Sequence, residues 1–422
     1  MPAESRAARA CVAAALALTL AWGLAYIFFA RGDLCDESGH LGVMFHFAEK
    51  KPGWPEQLTT PPGYQLLTVW VSRGHPSYTW ARAVSLGFAL LGVVAFAGTW
   101  SKIHGRPTTT PVLLYALLPI LEPYAGMAYN DVPALALLLA AAWAHFSRQR
   151  LLGAALLAVS LLVRQTNIIW AAFLVAYEAL LVLGPATERE ENLSATVTLW
   201  RRTRGLWFVL AATVTVILAA GRLTPGTQHG NTLAPNIATL HFAGVLALLL
   251  GLPVWLWYTP ASLRRLSAAW TGRPFFSATL TALALVIAAG LAFTFANPHG
   301  WNRDLFWEGC RFTLLRNWPL VYLDHHAWLR AASGLNLVAL AVAVWWVIPR
   351  QRFSAALWLN FACSIALLAS NFLVEPRYFI VPTVFTLLFL EVPSRESQML
   401  VGWFALLCAV HAPFIVANLS LW

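Results

Sequence analysis

Residues 151–183 read LLGAALLAVSLLV RQTN IIWAAFLVAYEALLVL: two apolar runs, 151–163 and 168–183, parted by the polar residues Arg164, Gln165, Thr166 and Asn167. Comparable apolar runs recur along the chain, near 11–30, 83–100, 111–128, 131–146, 206–221, 238–258, 276–296, 333–348, 354–370, 378–391 and 399–417. Of the 422 residues, 59% are hydrophobic and only 11% charged, whereas soluble domains carry about 25% charged residues. The pattern predicts an all-α, polytopic integral membrane protein with about 13 transmembrane helices, in a range of about 11–14. Several runs fall short of the roughly 20 residues that a span needs, so some helices are tilted, merged or partly re-entrant.

The net charge of +10 does not point to nucleic acid, because the basic residues stand in short clusters between apolar runs. One set of turns holds Arg6 and Arg9; Lys102 and Arg106; Arg148 and Arg150; Arg189, Arg201, Arg202 and Arg204; Arg264, Arg265 and Arg273; Arg350 and Arg352; and Arg395. Every alternate turn belongs to it, and the positive-inside rule makes these turns cytoplasmic. The N-terminus is then inside and the C-terminus outside. The run from Cys11 to Ala30 is read as the first transmembrane helix rather than a cleaved signal: it is long enough to span and lacks a small-x-small cleavage site. Cys35 and Cys310 share the outer face and are able to pair, but isolated thiols are the preferred reading of the cysteines.

The opposite turns, 31–82, 122–131, 164–167, 222–240, 297–332 and 371–377, carry Trp, Tyr, His, Asn and Pro in place of arginine clusters. The chain reads as a single membrane-embedded domain, 1–422, with long external loops at 31–82, which contains an acidic motif, and at 297–332. Trp54, Trp70, Trp80, Trp301, Trp307 and Trp318 suggest elements lying at the membrane interface. Loops this long usually bind something, and every candidate reactive group falls on this one face.

In the first loop Asp36, Glu37 and His40 stand together, and a helix here stacks Asp36 and His40 on one face. A carboxylate just outside the bilayer suits a general base; an interfacial acidic cap is the alternative. Thr59-Thr60-Pro61-Pro62-Gly63-Tyr64 is a rigid turn in which Gly63 permits a close approach, with Tyr64 a candidate to line a binding site. Arg164 lies close enough to hydrocarbon to suggest function, beside Gln165 and Asn167. Glu375-Pro376-Arg377 repeats the pattern, and arginines at helix ends suit phosphate. His299, Asn302 and Arg303 offer further donors, so these cations together suit an anionic head group. Asp131, in Asn130-Asp131, is read as an ordinary N-terminal capping residue or a supporting one. Asp324-His325-His326 looks metal-like, but adjacent histidines diverge on any regular element; no metal and no cofactor is expected. The Asn418-Leu419-Ser420 sequon lies too near the membrane to weigh.

Arg164-Gln165-Thr166-Asn167-Ile168-Ile169-Trp170 resembles a signature of the Alg10/DIE2 alpha-1,2-glucosyltransferase family. So do Asp36-Glu37-x-x-His40, Thr59 to Gly63, Leu240-His241-Phe242, and Glu375-Pro376-Arg377-Tyr378-Phe379-Ile380-Val381-Pro382. The family's stretch rich in Ala-Asp-Asn-Arg-His-Tyr stands here as Trp301-Asn302-Arg303-Asp304-Leu305-Phe306-Trp307, without its histidine and tyrosine. The family is of the GT-C type, multi-pass enzymes that take sugar from a polyprenyl phosphate on the non-cytoplasmic face.

The resemblance implies an inverting, metal-independent transfer of a hexose, glucose in the family, from a dolichyl-phosphate-like donor to a lipid-linked oligosaccharide; in a bacterial relative the lipid and acceptor differ. Asp36 is then the expected general base, with Glu37 as second choice and His40 orienting the base or binding acceptor. Arg164, Arg303 and Arg377, with His299, are the expected ligands of the donor phosphate; Tyr64, Gln165, Asn167, Asn302 and Glu375 the expected substrate contacts. The partners are the donor, the glycan acceptor and membrane lipids, in the endoplasmic reticulum membrane of a eukaryote or the inner membrane of a bacterium. Another GT-C transferase, of the protein O-mannosyl or lipid A type, and a transporter or flippase of lipid-linked or anionic solutes are the alternatives.

Overall fold

The computed structural model describes residues 3–30, 36–55, 58–183, 194–220, 236–272, 274–298, 300–303, 317–369 and 373–417. Among these residues the regular structure is all helix. The elements are α1 (Ala3–Phe29), α2 (Glu37–Ala48), α3 (Gly63–Val71), α4 (Tyr78–His104), α5 (Thr110–Ala116), α6 (Asp131–Phe146), α7 (Arg150–Val163), α8 (Ile168–Leu183), α9 (Ala195–Ala220), α10 (Ala238–Gly272), α11 (Pro274–Thr294), α12 (Trp318–His325), α13 (Ala327–Val347), α14 (Ser354–Ala369), α15 (Ile380–Phe389) and α16 (Ser394–Val416).

Among the described residues eight helices are long and apolar enough to cross a bilayer: α1, α4, α8, α9, α10, α11, α13 and α16. Helices α6, α7, α14 and α15 are shorter apolar ones. Large side chains lie bare on the outside of the bundle: Phe293 is 90% exposed, Phe275 85% and Phe208 76%. In water such a surface aggregates, and in a bilayer it is the lipid contact. At the centre α6 is enclosed, with residues from Asp131 to His145 buried apart from Trp143. It packs between α4 and α7, and α1 closes on α4.

The helix expected over 111–128 is broken. Helix α5 has only 7 residues, and after it comes a 3-10 turn at Glu122–Ala125. Pro119 and Pro123 remove backbone donors and crowd the preceding turn, so no helix continues through them. At Gly126 a Cβ would come within 2.7 Å of Tyr26 Cβ, so the chain here presses directly on α1. Irregular backbone survives at membrane depth only where protein surrounds it, and the residues from Leu114 to Asn130 are all buried. Among the described residues the eight long and four shorter apolar helices fit the expected all-α polytopic membrane architecture.

Contacts sort the helix ends into two groups. At the end carrying the arginine clusters, His104 donates to Leu388 O at 2.9 Å, and Glu391 N–H donates to Gln351 Oε1 at 3.0 Å. At the other end lie α2 and α3, neither long enough to span. Helix α3 buries Tyr64, Gln65 and Thr68 and leaves Trp70 77% exposed, as an interface-lying element does. Its first residue, Gly63, seats against the end of α7, where a Cβ would stand 2.5 Å from Leu162 O. The expected close approach is therefore made to backbone, which cannot swing away.

Gly63→Ala is expected to cost on the order of 1–3 kcal/mol by overpacking. Gly87→Ala, where a Cβ meets nothing within 4 Å, serves as the control. Thermal unfolding in detergent measures both; equal melting temperatures for the two variants contradict this packing.

Candidate active site

The site grows from a buried ion pair. Arg82, in the first turns of α4, donates through Nε to Glu37 Oε1 at 3.0 Å and through Nη2 to Glu37 Oε2 at 2.5 Å. Side-chain exposures are 4% and 0%. Arg82 Nη1 also donates to Ala30 O at the end of α1, at 3.3 Å. Ala128 N–H, on the irregular stretch before α6, donates to Glu37 Oε1 at 2.6 Å. A bidentate arginine with further hydrogen bonds is the arrangement in which charge tolerates burial.

This pair fixes the residues beside it. Asp36 precedes α2, and its backbone N–H donates to the Tyr129 hydroxyl at 2.9 Å. His40 N–H donates to Asp36 O at 3.1 Å, so the two stand one helical turn apart. The Asp36 side chain is 32% exposed, unlike Glu37. Arg377 Nη1 lies 3.2 Å from Asp36 Oδ2, and the same guanidinium pairs with Glu375. Arg164 pairs with Asp131 at the head of α6. Both arginines lie over the Tyr378 ring, each 5.6 Å from its centroid.

Three breaks in the bundle thus meet: 126–131 before α6, 164–167 between α7 and α8, and 373–379 before α15. A small cleft opens among them, lined by Asp131, Arg164, Asn167, Arg377 and Tyr378 together with the apolar Trp170, Leu367, Ile380 and Val381. Local sequence explains the breaks. Pro376 stands at the head of a 3-10 turn, Pro376–Phe379, and Arg164 is extended, with φ −150° and ψ 111°, where α7 stops.

Residues 31–388 match the family model described as the DIE2/ALG10 family. The chain belongs to the DIE2/ALG10 family. A curated relative from Yarrowia lipolytica (strain CLIB 122 / E 150), a Dol-P-Glc:Glc(2)Man(9)GlcNAc(2)-PP-Dol alpha-1,2-glucosyltransferase, is 25% identical over 180 residues, a match covering 35% of this chain and 33% of the relative. The chain therefore spans about a third of that relative's length. No solved structure matches.

Among the residues singled out in this family member, Asp36, His40, Arg164, Asn167, Glu375 and Arg377 come together in and around the cleft. Glu37 lies beneath it, its oxygens engaged by Arg82 and Ala128. Tyr64 is fully buried, its hydroxyl donating to Ala81 O at 2.9 Å, so it braces α3 on α4; its ring meets that of His40 edge-on at 6.3 Å without lining the cleft. Gln165 donates through Nε2 to Thr59 O at 3.2 Å, tying the proline turn to the 164–167 break. Asn302 is fully buried; its Oδ1 accepts from Val374 N at 3.2 Å and so anchors the 373–379 break. Arg303, half-exposed, pairs with Asp324 at 3.4 Å. His299, Cys35 and Cys310 lie outside the described residues.

His241 is enclosed within the helices, its Nδ1 at 2.9 Å from Ser333 Oγ, while Phe242 packs on Phe379 with centroids 5.4 Å apart. Arg82 and Tyr129 escaped the sequence reading. The signal for Arg82 was a charge at the start of the α4 apolar run, in a loop set otherwise poor in clustered arginine. Asp131 was read as a capping or supporting residue; it is the partner of Arg164.

Gln65 Nε2 lies 3.0 Å from His40 Nδ1, and the His40 ring meets the Tyr129 ring edge-on at 5.4 Å. Burial pushes His40 down to about 4; the Asp36 carboxylate opposes that shift, and Arg377 and Arg164 reinforce it. His40 therefore stays neutral in the folded protein at pH values where an unfolded histidine, near 6.5, takes up a proton. The unfolded state binds more protons across that window, so stability falls as pH drops from about 6.5 toward 4. Melting temperatures in detergent are expected to decline over this range, with a shallower decline for His40→Gln. Identical pH slopes for the two proteins exclude the effect.

Proposed function

We propose that the protein is a glycosyltransferase that moves a hexose, glucose in the first instance, from a polyprenyl-phosphate donor to a hydroxyl of a lipid-linked or other glycan acceptor. The observation that carries this reading is the meeting of an accessible carboxylate, Asp36, with two arginines, Arg164 and Arg377, at one end of an apolar bundle. The family membership and the name of the Yarrowia relative support the sugar and the lipid carrier. The opposite end carries the arginine clusters, which argues for a site on the non-cytoplasmic face. Gathering of the polar groups at one end supports a transferase over a transporter, whose sites lie near the midplane.

In the proposed reaction the acceptor hydroxyl attacks the anomeric carbon from the aqueous side and its proton passes to Asp36. The bond from that carbon to the phosphate oxygen breaks with inversion. Polyprenyl phosphate leaves, its growing charge held by Arg164 and Arg377. Neutralised in this way, the phosphate is a good leaving group, and the step requires neither a general acid nor a metal. Glu37 takes the role of holding Asp36 rather than accepting the proton, because its oxygens are spent on Arg82 and Ala128 N–H. Arg303 and His299 stand as further candidates for the donor's approach.

Asp36→Asn is expected to lower transfer from a polyprenyl-phosphate sugar in membranes by about 10²–10⁴-fold, while wild-type turnover is expected to persist in EDTA. Unimpaired turnover of a folded Asp36→Asn variant sinks the assignment of the base. Reversible loss of activity in EDTA sinks the metal-free reaction.

A further inference from the structure

Helix α10 is longer than its place in the bundle. It has 35 residues and its antiparallel neighbour α11 has 21, so at about 1.5 Å per residue α10 exceeds α11 by about 20 Å. The two helices nonetheless share both ends. His241 Nε2, near the head of α10, lies 3.2 Å from Leu291 O near the tail of α11, and at the other end Arg273 alone separates Gly272 from Pro274. A straight α10 cannot close both ends, so it bends, and Pro253 and Pro260 inside it are where a helix kinks. The first turn of α16 marks the level at which α10 leaves the bundle: the Arg395 guanidinium lies 3.9 Å over the Trp257 ring, and the Tyr258 hydroxyl donates to Glu396. The excess length is therefore the stretch after Pro260. It crosses the arginine-cluster end of the molecule toward the start of α11, which is bare on the outside of the bundle, Phe275 being 85% exposed.

Side chains along 261–272 sort by face. Leu263 is 59% exposed and Trp270 40%; two turns apart at about 3.6 residues per turn, they lie on one side of the helix, and Arg264 and Arg265 lie off it. Both arginines are exposed. Neither makes an ion pair among the described residues, unlike Arg82, Arg164, Arg202 and Arg377. The sequence around them offers no acid, since neither Asp nor Glu occurs between Glu191 and Asp304, and Glu396, where α10 leaves the bundle, is taken by Tyr258. We infer that residues 261–272 form an arm that lies along the membrane surface and binds anionic phospholipid, with Leu263 and Trp270 in the acyl boundary and Arg264 and Arg265 on the headgroups. A basic helix with an apolar face, held at the level of the bilayer edge, binds by apolar burial together with attraction to anionic lipid. An acidic protein would answer the arginines alone. The positive-inside rule assigns this end to the cytoplasm, the side on which anionic lipid is found. The candidate active site lies at the opposite end, so the arm stands or falls independently of it.

The experiment places the full-length protein in mixed micelles of phosphatidylcholine and phosphatidylglycerol at low salt and measures which lipid it retains. Wild type is expected to prefer phosphatidylglycerol, and the double variant Arg264→Gln/Arg265→Gln is expected to lose roughly tenfold of that preference. The control, Arg148→Gln/Arg204→Gln, removes the same charge from exposed positions elsewhere at this end and is expected to keep it. Equal losses in the two variants assign the preference to overall charge and overturn the inference, as does an unchanged preference in the arm variant. A second measurement reads the apolar face in bilayers of the same two lipids. The chain has 21 tryptophans, so the Trp270 emission is taken as the difference between wild type and Trp270→Phe. Quenching of that difference by phosphatidylcholine brominated high on its acyl chains is expected. Quenching by iodide in the water, with none by the brominated lipid, puts the arm in solution facing a soluble partner and overturns the inference. A dimer in detergent that either arm variant dissolves gives the face to a second copy of the chain and overturns it likewise.

Discussion

The pairing of Glu37 with Arg82 is the constraint on which the outer end of the molecule depends. One guanidinium reaches the carbonyl of Ala30 just past α1, the first residue of α2 and, through the shared carboxylate, the backbone of the stretch before α6. Four segments with no regular hydrogen bonding between them are thereby held at a fixed spacing. Removing one partner of such a pair costs about 3–5 kcal/mol, because the other charge stays buried and uncompensated. That penalty is what makes the junction specific: any packing that moves α2 away from α4 strands a charge. Asp36 and Tyr129 inherit their places from it, since each adjoins a residue the pair has already fixed.

The outer layer shows how charge is carried at the edge of hydrocarbon. Arg164 is answered by Asp131, and Arg377 by Asp36 and Glu375. Each of these two guanidinium groups has a carboxylate partner, and the tyrosine rings beneath them add cation–π contact. Burial alone would make these arginines expensive; pairing brings the cost down while leaving Asp36 and the two guanidinium groups within reach of a ligand. The exposures separate two neighbours that look equivalent in sequence: Asp36 faces the opening and Glu37 faces inward.

Much of this was legible in the sequence. The apolar runs gave the helical membrane architecture, because hydrophobic length and loop charge reflect the bilayer itself rather than any partner helix. Asp36, His40, Arg164 and Arg377 stood out because charge beside an apolar run is costly anywhere. What could not be read was pairing. Arg82 looked like an ordinary charge near a helix start, since its meaning comes from a carboxylate on another element. Tyr64, promising beside a proline turn, is consumed by Ala81 O and Ser85. The run over 111–128 was apolar enough for a helix, yet Pro119 and Pro123 break it, and its irregular backbone survives only because α1, α4 and α16 surround it.

The same break explains why the candidate chemistry lies where it does. Regular helices in a bilayer satisfy their own backbone and present side chains sideways, to lipid or to neighbours. Charged groups at the edge of the bilayer converge most readily where helices stop, and here three stops meet: 126–131, 164–167 and 373–379. Each is held by side chains reaching across sequence, with Glu37 accepting from Ala128 N–H, Asn130 donating to Thr60 Oγ1 and Val163 O, and Asn302 accepting from Val374 N–H. The lipid-linked donor proposed above, with its tail in lipid and its sugar in water, suits a site at such a boundary. The clusters that interrupt the apolar runs in the sequence are therefore helix ends brought together, and it is the stopping of helices, more than any one residue, that gathers the candidate groups there.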